Sequence, residues 1–239
     1  MKQLLKLPDR LNTIAGYIEI GASVIDVGTD HGYLPVYLAQ NGFAKHIMAS
    51  DISARSLETA RRTASKYGVL DKIEFIEAPG LDGIYEEDVD TIVIAGLGGE
   101  TIVSILSAAP WIKRCKTELI LQPQSKVEEL CEFLRTAGYG IKDADVVLDK
   151  AKYYTVISAS ASAAGKTKKT SDLSPEIELY SIMARKRSSL FSNFLDALII
   201  KNQSTVMSLR LSNPTKYESM LARLEDLVSL RKAFDAWQP

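Results

Sequence analysis

Three short stretches carry residue types that can do chemistry. The first is Asp26-Val27-Gly28-Thr29-Asp30-His31-Gly32-Tyr33, which follows the apolar pair Val24-Ile25. Gly28 lets the backbone turn tightly and lets a ligand approach where a Cβ would otherwise stand. A helix starting at Tyr33 then offers unpaired N–H groups. Such a turn at the head of an α/β unit holds a nucleotide-like group. A dinucleotide fingerprint needs G-x-G-x-x-G, and this chain has Asp30 where a glycine belongs. A carboxylate there repels a pyrophosphate and suits a positively charged ligand without phosphates. The second stretch ends in Asp51, about twenty positions on, where an acid at a strand's end can accept hydrogen bonds from ribose hydroxyls. The third is Gly96-Leu97-Gly98-Gly99. Glycines there admit either a planar group close to the backbone or tight strand-to-helix packing.

The elements that must position these residues follow from periodicity. Leu7, Leu11, Ile14, Ala15 and Ile18 recur at helical spacing. Arg10 lies off that stripe, within reach of a pocket but read here as a surface charge. Strands are predicted at residues 23–27, 46–50, 72–77, 90–95 and 118–122. Helices follow: 33–41 with Pro35 in its first turn, one capped by Ser53 and running to Tyr67, one through Ile102 and Leu106, and 127–137. Residues 141–148 and 153–159 are β-rich, and the four residues between them are too few for a helical crossover, so they form an antiparallel hairpin. Five βα units closed by a hairpin differ from a dinucleotide-binding domain, which ends on a sixth parallel strand. The expected fold is α/β, a Rossmann-like class I methyltransferase fold with a seven-stranded sheet and a terminal antiparallel hairpin. Its cofactor is S-adenosylmethionine, whose ammonium and sulfonium groups carry positive charge.

That domain is expected over residues 1–160. Residues 158–172 lack any large apolar side chain, and 161–172 read as a linker. In 173–239, two helices are predicted, 175 to about 211 and 214–234, with Asn213-Pro214 at the reversal. Their stripes, Leu190, Phe191, Phe194, Leu195 and Leu198 against Tyr217, Met220, Leu221, Leu224, Leu227 and Val228, suggest an antiparallel coiled-coil hairpin.

The 239-residue chain has a net charge of only −1, unevenly placed. Residues 1–164 hold 17 Lys/Arg against 22 Asp/Glu, whereas 165–239 hold 12 against 8. The C-terminal part therefore admits a polyanionic partner. Cys115 and Cys131 form no metal-ligand pattern, so no metal is expected, and they read as packing thiols in a reducing compartment. Lys2, Lys6 and Arg10 interrupt any signal-peptide core, and no stretch approaches the ~18–20 apolar residues of a membrane span. A soluble, cytoplasmic protein that does not engage membranes is expected, with a monomer favoured.

Three motifs make a resemblance specific: Asp26-Val27-Gly28-Thr29-Asp30-His31-Gly32-Tyr33-Leu34-Pro35, Ile94-Ala95-Gly96-Leu97-Gly98-Gly99 and Leu121-Gln122-Pro123. Together with Lys152-Tyr153-Tyr154 and the opening Arg10-Leu11-x-x-Ile14-Ala15-x-x-Ile18, they resemble the bacterial tRNA (adenine-22-N1)-methyltransferase family over roughly residues 7–158. The resemblance implies transfer of a methyl group from S-adenosylmethionine to N1 of an adenine in tRNA. It implies that Asp51 holds the ribose and that Ile52 is among the cofactor-binding residues. Asp26, Gly28, Gly32, Gly80, Leu81, Ala95, Gly96 and Leu97 would shape its pockets, with Asp30 and His31 beside the methyl donor. Three positions depart from the family pattern: Pro79 stands for the usual Asp or Asn, Gln124 for Asn, and Gly32 for a frequent Ala.

Adenine N1 keeps a lone pair, so attack on the methyl group needs positioning more than a strong base. The ring becomes cationic, and Asp30 is the candidate to stabilise that charge, or else only binds cofactor. His31, at a helix N-terminus, is expected to act as a neutral hydrogen-bonding group. Tyr33 and Tyr154 are candidates to stack on an extruded base, or core aromatics. Gln122 is the candidate to read the adenine edge. The alternatives are methylation of another RNA position and a non-catalytic RNA-binding protein with a degenerate cofactor site.

Overall fold

Strand β1 (Ala22–Val27) is buried along its whole length. A strand covered on both faces belongs in the middle of a parallel sheet, and this one pairs in parallel with β2 (Ala44–Asp51) on one side and β4 (Thr91–Leu97) on the other. The computed structural model describes residues 4–163, 173–210 and 212–236. The sheet is completed by β3 (Glu74–Glu77), β5 (Glu118–Pro123), β6 (Gly140–Asp149) and β7 (Lys152–Ser160), in the order β3-β2-β1-β4-β5-β7-β6. β7 runs antiparallel to both β5 and β6. This is the predicted seven-stranded Rossmann-like sheet closed by a hairpin.

Helices α1 (Asp9–Gly16), α2 (Tyr33–Asn41), α3 (Ala54–Lys66), α4 (Gly99–Ala108) and α5 (Val127–Thr136) belong with the sheet in a unit spanning Met1–Lys169. One apolar core joins Ile14 of α1, Val24 of β1, Leu34 and Leu38 of α2, Ile47 of β2, Val93 of β4 and Val156 of β7. The Ser53 hydroxyl caps α3 by accepting from the Ser56 N–H at 3.3 Å. Gly32, at φ +68°, starts α2 where a Cβ would lie 2.8 Å from that of Ala60, so a side chain there would collide with α3.

The second unit, Thr170–Pro239, contains α6 (Pro175–Ala184), α7 (Ser189–Leu209) and α8 (Pro214–Ala236). The single long helix expected from 175 is in fact two. Arg187 takes a positive φ of 51°, and the Ser188 hydroxyl caps a fresh helix by accepting from the Phe191 N–H at 3.0 Å. α7 and α8 form a helical hairpin, joined by an Arg231–Asp196 ion pair (2.7 Å) and the ring contact of Phe191 with Phe234. α6 is tied in through Glu176, which accepts from Tyr180 and Arg223, while Arg223 also donates to Asn202. Of the expected linker, Ala161–Ala163 form a 3-10 turn directly after β7, and 164–172 lie outside the described residues, as does Leu211.

Candidate cofactor and active site

The strand order reverses between β1 and β4, and a crevice opens at such a point in a doubly wound sheet. A cavity of about 980 Å³ is found there, walled by the C-terminal ends of β1, β2 and β4. Asp26, Gly28, Asp30, His31, Asp51, Ile52, Gly80, Leu81, Ala95, Gly96 and Leu97 all line it, as do Tyr33, Pro79 and Gln124. Eleven of the twelve residues expected around the cofactor are thus brought together.

The twelfth, Gly32, is a correction. It is buried against α3 and serves helix packing, its backbone N–H donating to Thr29 O at 2.9 Å. Gln122 is a second correction. It is fully buried; its Nε2 donates to Pro123 O at 2.8 Å and its Oε1 accepts from Arg10 Nη1 at 2.6 Å. Both ends of the amide are engaged, so it does not present an edge to a base. Tyr154 does not line the cavity either. It is half-buried against the core, with the Arg10 guanidinium 5.6 Å from its ring centroid and Lys152 Nζ 5.0 Å from it.

Arg10, read from sequence as a surface charge, lines the cavity. Its partner lies 112 residues away. The one signal was a cation next to the apolar stripe of an amphipathic helix that packs on the sheet.

The carboxylates set the electrostatics. Asp26 is buried and accepts from the Thr29 hydroxyl at 2.8 Å. Burial pushes its carboxyl up to about 6, opposed by the Thr29 hydrogen bond and the Arg10 charge, with Asp51 adding a smaller upward push. Asp51 Oδ1 accepts from the Ser53 N–H at 2.9 Å and Oδ2 from the Asp30 N–H at 3.1 Å. Each oxygen holds one backbone donor, which fixes the carboxylate and leaves lone pairs for a diol. Asp30 takes a positive φ of 52°, and its Oδ2 lies 2.7 Å from His31 Nδ1. The His31 ring stacks on Tyr33, centroids 5.5 Å apart.

These residues fit S-adenosylmethionine. Asp51 is anchored for a ribose, and Gly28 lines the cavity at φ +74°, a conformation side-chain-bearing residues rarely adopt, with the Leu97 side chain 3.6 Å from where a Cβ would stand. Ile52, Leu81 and Leu97 supply apolar wall, and Asp26, Asp30, Asp51 and Asp82 make the lining acidic. An acidic wall favours ammonium and sulfonium groups and disfavours a pyrophosphate. Pro79 contributes only apolar surface there. Among the described residues no cluster of His, Cys, Asp or Glu could hold a metal ion, and no helix is long and apolar enough to cross a membrane.

Comparison with known proteins agrees with this architecture. A family model described as a methyltransferase domain matches residues 7–157. The tRNA (adenine(22)-N(1))-methyltransferase of Bacillus subtilis is 36% identical over 157 residues, which span 66% of each chain. The crystal structure of the B. subtilis M1A22 tRNA methyltransferase TrmK superposes with a TM-score of 0.82 at 28% identity, covering 95% of this chain and 99% of that one. M. capricolum TrmK, solved with S-adenosyl-homocysteine, gives a TM-score of 0.77 at 26% identity, covering 97% and 99%. The chain belongs to the methyltransferase-domain family and, within it, to the family of the tRNA (adenine-22-N1)-methyltransferases.

Proposed function

We propose that this protein is an S-adenosylmethionine-dependent methyltransferase that modifies N1 of adenine 22 in tRNA. The observation that carries the reading is an acid-lined cavity at the β1/β4 switch point, in a chain similar over nearly its whole length to an M1A22 tRNA methyltransferase. S-adenosylmethionine supplies an electrophilic methyl group on a positively charged sulfur. Asp51 holds the ribose hydroxyls, Ile52 and Leu81 cover the apolar base, and Asp26 with Arg10 sets the charge at the end of β1. The target adenine needs no strong base, because its N1 lone pair is free in the neutral ring. Catalysis by this chain therefore rests on alignment within about 3–3.5 Å and on charge. Asp30 places negative charge beside a ring that becomes cationic only as the bond forms, which stabilises the transition state more than the ground state. Tyr33, stacked on His31 at the cavity, offers a face for the target base.

The domain division follows the same reading: residues 1–160 carry the methyltransferase chemistry and 173–239 contact tRNA, the enzyme acting as a cytoplasmic monomer. Residues 173–239 hold nine Lys/Arg against seven Asp/Glu, and the preceding 165–172 three against one, a basic excess that supports that assignment. The test is incubation of purified protein with labelled S-adenosylmethionine and total tRNA from a strain lacking the enzyme. Label should enter the tRNA. Unlabelled tRNA, with cofactor binding intact by calorimetry, would reject the substrate.

A further inference from the structure

Asp30 and His31 are held more tightly than exposed neighbours need to be. Asp30 adopts a left-handed backbone, which a side-chain-bearing residue rarely takes, and its N–H is tied to Asp51 Oδ2. That conformation brings its carboxylate to His31 Nδ1 at 2.7 Å, while Tyr33 stacks on the same ring. The two side chains remain 71% and 51% exposed, so the pair adds little to stability. Yet both the ring's orientation and its proton are fixed. A carboxylate only accepts, so the nitrogen facing it carries the hydrogen. In the neutral ring, the other nitrogen, Nε2, then carries a lone pair.

An acceptor of defined position in this cavity has a chemical consequence. Next to the reacting N1, adenine presents an amine that donates. Guanine presents a carbonyl oxygen there, beside an N1–H. A fixed acceptor pairs with the first and opposes the second. We propose that His31 Nε2, kept as an acceptor by Asp30, receives the exocyclic N–H of the target adenine. His31 is then a specificity-determining residue and Asp30 its positioning residue. The proposal rests on the reading that the target is an adenine methylated at N1.

A double-mutant cycle between enzyme and base tests it. Full-length tRNA is assembled with either adenine or purine, which lacks only the amine, at position 22, and kcat/KM is measured for wild type and His31→Ala. The weaker nucleophilicity of purine is common to both enzymes and cancels, as does any general loss of activity in the variant. Removing the amine should cost wild type at least about 5-fold more than it costs His31→Ala, the effect of one hydrogen bond. His31→Gln, whose Oε1 can accept, should keep part of the difference. Equal penalties in wild type and His31→Ala overturn the proposal. If His31→Ala is too slow to measure, Asp30→Asn, which frees the ring's tautomer, gives the same comparison under single turnover. Wild type that fails on the adenine tRNA itself would refute the substrate reading instead, so the two failures are distinct.

Discussion

Arg10 Nη1 donates to Gln122 Oε1 across 2.6 Å, tying α1 to the end of β5. The other end of the Gln122 amide is engaged by Pro123 O, so Arg10 supplies what its buried carbonyl needs. Arg10→Ala leaves that acceptor unpaired and removes a cation from beside Asp26. Denaturant unfolding should show a loss of about 1–3 kcal/mol. Arg10→Lys should recover part of it, because an ammonium can donate to Gln122 but cannot stack on Tyr154 as a guanidinium does. An Arg10→Ala midpoint equal to that of wild type would contradict this.

Asp26 gives a pH signature. Its folded-state carboxyl titrates at about 6, above the ordinary 3.8, so between those values the folded state keeps a proton that the unfolded state has released. Stability from this group is fully present below pH 4 and is lost as pH rises through 6, by up to about 3 kcal/mol. In Asp26→Asn, which can still accept from Thr29, that downward limb should vanish. Ionised Asp26 also favours a cationic ligand, so S-adenosylmethionine affinity should rise between pH 5 and 7 in wild type and rise less in the variant. Isothermal calorimetry and urea titrations across that range measure both; parallel curves for the two proteins would contradict the assignment.

In the second unit, Glu176 is almost fully buried and accepts from Tyr180 at 2.6 Å and from Arg223 at 2.8 and 2.9 Å. Breaking a buried pair strands its partner, which typically costs about 3–5 kcal/mol. Arg223→Ala should therefore lower the thermal midpoint clearly. The double replacement Glu176→Leu, Arg223→Met should cost less than the single change, because it leaves no buried charge without its counter-ion, although Tyr180 and Asn202 each lose a partner. Circular dichroism at 222 nm reads this out, and a double variant no better than Arg223→Ala would count against the network.

Lys201 and Lys216 are exposed on α7 and at the start of α8. If the second unit holds tRNA, replacing both with Ala should weaken binding and lower the slope of log affinity against log salt by about 1–2. Cofactor affinity should not change. Filter binding from 50 to 300 mM salt gives the slope, and an unchanged slope would remove these two residues from the interface.

The sheet was legible because its signals are local. The apolar pair before Asp26, the four-residue turn at 149–152 and the Ser53 cap each determine an element within a few residues. Gly28, Asp51 and Gly96 were legible for the same reason, since a strand's end and its glycine turn are adjacent in sequence. Residues whose role depends on a distant partner were not. Arg10 looked like a surface charge because Gln122 is 112 residues away, and Gln122 looked available because the arginine that engages it was invisible. Gly32 sits in the motif, but what it meets is Ala60 on another helix. In the C-terminal part, the apolar stripes predicted helices but not the break before α7. There Arg187 takes a left-handed conformation that arginine rarely favours, with no glycine to mark it.

Locating the transferred methyl group tests the assignment of adenine 22 as the target. Purified protein, unmodified tRNA carrying adenine at position 22 and S-adenosylmethionine are combined, and the digested tRNA is mapped by mass spectrometry. 1-Methyladenosine is expected at position 22, and none when that adenine is replaced by guanine. A methyl group at another position, on another atom of adenine, or still present after the replacement would contradict it.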